Sequence, residues 1–230
     1  MLYFFVDETY QEESSFRRHI FGCLAFLQDR WNELTPEQLT LRWPHNISKQ
    51  KRILRLLEDT GGAGVLTKAE IPLQLLPTGE RDQTDDIPDM ARTDNAWSAC
   101  FVYTVAALLR FLEVRRSPSF TTADIYLDNR DLKTEHMDAI DKALRVQVIK
   151  TIDELKNEGH MSTEFNPKIR RIRSTPQADK NARDRFQAGT HVAHHFCRLE
   201  SKTPTPDSHL IKHLDITQQV EEYLKTYPNT

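Results

Sequence analysis

Apolar and polar positions along this chain alternate between short continuous runs and longer stretches of helical period. Leu2 to Val6 is an unbroken apolar run rich in aromatic and branched side chains, too short for a helix. It reads as a strand buried on both faces. A second run, His19 to Leu27, follows a polar, turn-like stretch from Tyr10 to Ser15, and antiparallel pairing of the two is the economical arrangement. A helix through Ile47, Ile53, Leu54 and Leu57 has Asn46 or Ser48 as its cap and Gly61-Gly62 as its stop. Val65 to Leu76 predicts another strand, and Pro72 implies an edge or an end there. Thr78 to Asp94 is acidic and aperiodic, a surface loop.

From Ala96 to Val114 the apolar positions Trp97, Phe101, Val105, Leu108, Leu109 and Leu112 gather near one face, which predicts the central packed helix. Ala123 to Asp128 is a short strand ending in an acid. Met137, Ile140, Leu144, Val148, Ile152 and Leu155 then mark a long amphipathic helix that Gly159 terminates. Lys168 to Arg173 is a last strand and Ala182 to Leu199 a helix. Residues 1–203 therefore read as one domain, with 204–230 a linker at Pro204-Thr205-Pro206 and a helix, capped by Asp215, that packs on it. Meander strands followed by α/β crossovers make a mixed sheet flanked by helices. That α/β order is RNase H-like, and several other α/β folds share it.

Composition narrows this picture. A length of 230 residues suits one domain with insertions. The 7 glycines argue against a Gly-rich phosphate loop. A formal charge of −3 gives no global attraction to nucleic acid, so any such contact needs a local basic patch. Cys23, Cys100 and Cys197 are odd in number, far apart and set in apolar stretches, as expected of buried free thiols. The first residues lack a basic region, and their apolar run stops at Asp7, too short for a signal peptide or a membrane span. No other segment reads as a span, and the cytoplasm is the expected location.

The acids stand where the predicted strands give out: Asp7-Glu8 after the first and Asp128 after the fourth. Groups at strand ends beside a crossover are well placed for ligands. Carboxylates converging there would bind Mg²⁺ or Mn²⁺ and could hold a scissile phosphate. The competing reading is ordinary: an Asp after a strand is often a turn former or a helix cap, and Asp124 reads as the polar start of its strand.

The residues Phe5-Val6-Asp7-Glu8-Thr9, Ile125-Tyr126-Leu127-Asp128 and Phe186-Gln187-Ala188-Gly189-Thr190-His191-Val192-Ala193 together resemble domain of unknown function family 3800, across about residues 2–200. The resemblance implies an RNase H-like fold. It matches Asp7 and Glu8 to the family's opening acids, with Thr9 where Ser is usual, and Asp128 to the acid closing the middle strand. In the last motif Thr190 stands where the family carries Asp, a neutral hydroxyl in place of a carboxylate.

Helical spacing sets His194 one turn beyond Thr190 and His191 one turn beyond Gln187, so either can face the site. Imidazole can replace a carboxylate as ligand or act as general base, or these histidines simply pack or face solvent. His191 and His195 have the spacing of a helical zinc pair, without the Glu of a zincin pattern. Arg170, Arg171, Arg173, Arg183 and Arg185 form a strip for phosphate contacts, or the charged decoration of an edge strand. On a regular strand, Arg170 and Arg171 point to opposite faces. The expectation is a divalent-metal-dependent nuclease or phosphodiesterase with Asp7, Glu8 and Asp128 on Mg²⁺ or Mn²⁺ and His191 or His194 completing the site. The rival is a catalytically silent module of the same fold that binds nucleic acid, a protein partner or a second copy of itself, with no membrane association.

Overall fold

A computed structural model describes residues 1–41, 48–76, 95–115, 122–128, 134–175 and 185–226; within these, the side chains of 128, 134–140, 174 and 175 lie outside the description. Strand β1 (Leu2–Glu12) pairs antiparallel with β2 (Phe16–Leu27), and β2 with β3 (Ala63–Pro72). On the other side of β1, β4 (Thr122–Asp128) runs parallel to it, and β5 (Lys168–Thr175) runs parallel to β4. Beyond β3 lies a strand that the sequence reading does not contain, β6 (Ile211–Asp215), parallel to β3. The order β5-β4-β1-β2-β3-β6 is an antiparallel meander continued by parallel crossovers, an RNase H-like α/β sheet with one strand added at the meander edge.

The β1–β2 hairpin is longer than the apolar runs suggest. Its polar end still pairs, from Asp7 opposite Gly22 to Glu12 opposite Arg17. Toward the turn, β1 is held to β2 by the backbone ladder, an Arg17–Glu12 ion pair and a hydrogen bond from Arg18 to Gln11, on residues that are largely exposed, so hydropathy does not register this part of β1. Pro72 ends β3, where its missing N–H breaks no ladder bond.

Helices cover both faces. On one, α4 (Asn95–Val114), α5 (Thr134–Asn157) and α7 (Thr217–Thr226) pack over Phe4, Val6, Cys23, Val65 and Ile125. On the other lie α1 (Gln28–Glu33), α2 (Pro36–Leu39), α3 (Lys49–Asp59) and α6 (Arg185–Glu200), over Phe5, Leu24, Tyr126 and Phe26. Ser48 caps α3 through the backbone N–H of Lys51, and Gly61 leaves that helix at φ +61°. Gly159, at φ +74°, follows α5 in the same left-handed conformation. By length and composition α4 would pass for a membrane span, contrary to the sequence reading; 67% of its apolar window is buried inside this fold. All three cysteines are buried and free.

The seat of α6 matters most for the site. A side chain at Gly189 would come within 2.2 Å of the Phe5 ring. One at Gly22 would come within 3.1 Å of Cys197. Bare backbone at these two positions lets α6 lie directly on β1 and β2, and that close approach carries its histidines to the sheet.

Candidate functional site

Asp7 and Glu8 are not at the end of β1. They lie where its neighbour stops: Val6 pairs with Leu127, and Asp128 closes β4 one position later. The backbone of Asp128 thus stands beside that of Asp7; its side chain lies outside the described residues. Because successive strand residues face opposite sides, the two acids separate. Asp7 faces α6, only 5% exposed, and accepts a hydrogen bond from Nδ1 of His194 at 2.7 Å. Glu8 faces α4 and accepts one from Nε1 of Trp97 at 3.1 Å. The expected three-acid site therefore loses Glu8 to the other face of the sheet.

His194 is reached because α6 is seated on Gly22, the residue opposite Asp7 in β2. With Nδ1–H held on the carboxylate, Nε2 is the nitrogen through which this ring would exchange a proton. Around this pair stand two more imidazoles. The ring centres of His191 and His195 are 4.5 Å apart, and His191 lies 6.3 Å from His194. Lys49, the first residue of α3, donates from Nζ to Nε2 of His195 at 3.1 Å. Burial, reinforced by His191, Lys49, His194 and Arg198, pushes His195 down to about 4. Burial also lowers His191, with His194 and Lys49 adding to the shift and Asp7 opposing it. Both rings are neutral near pH 7. Thr190, in the position where the resemblance expects Asp, is buried and donates its hydroxyl to the carbonyl of Gln187 at 3.0 Å.

A hard divalent ion asks for several oxygen donors. Among the described residues, no group of three His, Cys, Asp or Glu side chains is arranged to hold a metal. Of the acids expected at this site, Asp7 is the one whose carboxylate is described on the α6 face, a single donor group where such an ion takes several. The zinc reading of His191 and His195 has no third ligand in this set.

The arginine strip is largely committed elsewhere. A register shift between Ala123 and Asp124 puts both Arg170 and Arg171 opposite one stretch of β4. The bulge brings both guanidiniums onto the fully buried Asp124, against the expectation that they face opposite ways. Arg171 also donates to the Tyr126 hydroxyl at 3.3 Å. Arg185 ties α6 to the end of α1 through the carbonyls of Trp31 and Leu34. Arg173 is exposed, and Arg183 lies outside the described residues.

Sequence reasoning missed three residues here. Asp124 is a buried ion-pair centre, and its signal was an acid inside an apolar strand next to a basic one. Lys49 gave no local signal, because its role comes from a contact 146 residues away. Glu200, 1% exposed, accepts from Gln50, Thr205 and Nε2 of His213, which fastens α6 to α3 and β6. A cavity of about 650 Å³ opens on the opposite face between α4, β6 and α7, lined by Tyr103, Arg110 and Phe111, with no residue of the Asp7 cluster. No protein-family model matches this chain, and no curated protein does either.

Proposed function

We propose that this chain is an RNase H-like phosphodiesterase, a nuclease that uses Mg²⁺ or Mn²⁺ at a site built on Asp7, Asp128 and His194. The observation that carries the reading is the 2.7 Å contact between the buried Asp7 carboxylate and His194, placed where β4 stops pairing with β1. An open edge between parallel strands is where ligands dock in such sheets. Asp7 and Asp128 would hold the ion, which when bound would neutralise charge on a phosphoryl group and acidify a water. Asp7 also fixes the His194 ring with Nδ1–H toward itself. In that orientation Nε2 can take a proton from the attacking water or return one to the leaving oxygen. This reading leaves Glu8 out of the site, because its bond to Trp97 places it on the α4 face as a link between β1 and α4.

A silent binding module of the same fold is the second reading, favoured by Thr190 in the place of a carboxylate and by Glu8 on the far face. Cleavage of single- and double-stranded DNA and RNA with Mn²⁺ or Mg²⁺ separates the two. The nuclease reading expects metal-dependent cleavage that falls about 100-fold or more in Asp7→Asn and in His194→Ala. Wild type that cleaves none of the four, and takes up no Mn²⁺ in calorimetry, would leave the binding module standing. Equal cleavage by wild type and Asp7→Asn would remove Asp7 from the chemistry.

A further inference from the structure

Lys49 is exposed at the first position of α3, where the helix dipole disfavours a cation and favours an anion. Among the described residues, no Asp or Glu lies within ion-pair distance of its ammonium group. Its bonding partner is instead the neutral Nε2 of His195, 3.1 Å away. Because that nitrogen accepts, Nδ1 of His195 carries the ring's proton and can donate. His191 lies against the same ring at 4.5 Å between centres. One ammonium, two imidazoles and a helix N-terminus thus share a surface next to the Asp7–His194 pair. Among the described residues, the acid that acts on it is Asp7, which already receives the Nδ1–H of His194. Among the described residues, such a surface is short of an anion.

The geometry points to Lys49, His191 and His195 as an anion subsite that holds a phosphate of a nucleic-acid strand, adjacent to the phosphate at Asp7 and His194. The anion chemistry stands on these contacts alone; its assignment to a nucleic-acid strand rests on the function proposed above. The subsite takes over the role that sequence spacing gives to Arg170, Arg171 and Arg185, whose guanidiniums are spent on Asp124 and on the end of α1. A lysine suits it because a rotatable ammonium follows a phosphate through small changes of pose.

The test uses the full chain without metal, titrated in one arm with inorganic phosphate and in the other with a short single-stranded oligonucleotide. Histidine side-chain resonances and calorimetry report binding. Both ligands are expected to shift His191 and His195, with affinity falling about tenfold in Lys49→Ala, the loss of one charge-assisted hydrogen bond, and recovering in Lys49→Arg. Circular dichroism checks that the exposed substitution leaves the fold intact. Unmoved histidine resonances in both arms, or Lys49→Ala binding as tightly as wild type, overturn the subsite. Phosphate binding without oligonucleotide binding overturns the nucleic-acid assignment. Asp7→Asn separates this inference from the nuclease reading: binding that persists while cleavage is lost supports both. Binding by a wild type that cleaves nothing keeps the subsite and removes the activity.

Discussion

At the scale of single residues, burial decides what each titratable group can do. Asp7 and Glu8 are consecutive acids, yet one is sealed under α6 against an imidazole and the other bonds an indole on the far face. His19 shows the cost of burial without a partner. It is 5% exposed, and its Nε2 has no hydrogen-bond partner among the described residues. Burial, with the charge of Arg17 adding to it, pushes its pKa down to about 4. In the unfolded chain an imidazole titrates near 6.5, so between these values the unfolded state binds more protons. The stability His19 permits is complete above about pH 6.5 and is lost as pH falls toward 4. From pH 7 to pH 5 the loss from this one ring comes to about 2 kcal/mol. Urea midpoints of wild type and His19→Gln at the two pH values check it. An identical pH dependence in the two proteins would show that His19 is not the group responsible.

At the scale of elements, the site depends on how closely α6 lies on the sheet. Gly189 meets the ring of Phe5, and that ring is locked by stacking with Tyr126 and by Trp31 at 4.7 Å. A methyl group there has nowhere to go. Alanine would gain up to about 1 kcal/mol of helix propensity, but overpacking of this kind costs about 1–3 kcal/mol. Gly189→Ala is expected to lower the melting temperature and to pull His194 off Asp7; under the proposed nuclease function, cleavage falls although neither residue has changed. A variant of wild-type stability and activity would mean that the helix does not need bare backbone at this point. The same scale explains the arginines. Alternation along a regular strand separates Arg170 from Arg171, and one extra residue in β5 reunites them on Asp124.

At the scale of the whole molecule, the C-terminal segment is part of the sheet. β6 covers the edge of β3, and Ile211, Val220 and Leu224 are buried in the two cores. Glu200 joins this segment to α6 through Thr205 and His213. A chain ending at Thr203 would expose an unpaired β3 edge and open the apolar face under α7. It is expected to elute as higher-order species on size exclusion and to lose its cooperative thermal transition. A monomeric, cooperatively melting truncation would show that the five-strand sheet stands by itself.

What the sequence determined alone was whatever depends on local pattern. Apolar runs located β1 to β4, Ile169 and Ile172 among basic residues located β5, helical periods located α3 to α6, and Ser48, Gly61 and Gly159 marked helix ends, because burial and backbone dihedrals are written in nearest neighbours. It also picked out Asp7 and His194. It could not reveal β6, a five-residue strand of mixed polarity that gains its pairing only once β3 is in place. Nor could it say which face each acid takes in relation to α6, that β1 outlasts β4, or that Lys49 meets His195. Those facts belong to tertiary structure, because they arise from register, from a bulge and from the glycines that bring a helix onto a sheet. The opening acids were visible in the chain; which of them faces α6 was decided only when that helix came to rest on β1.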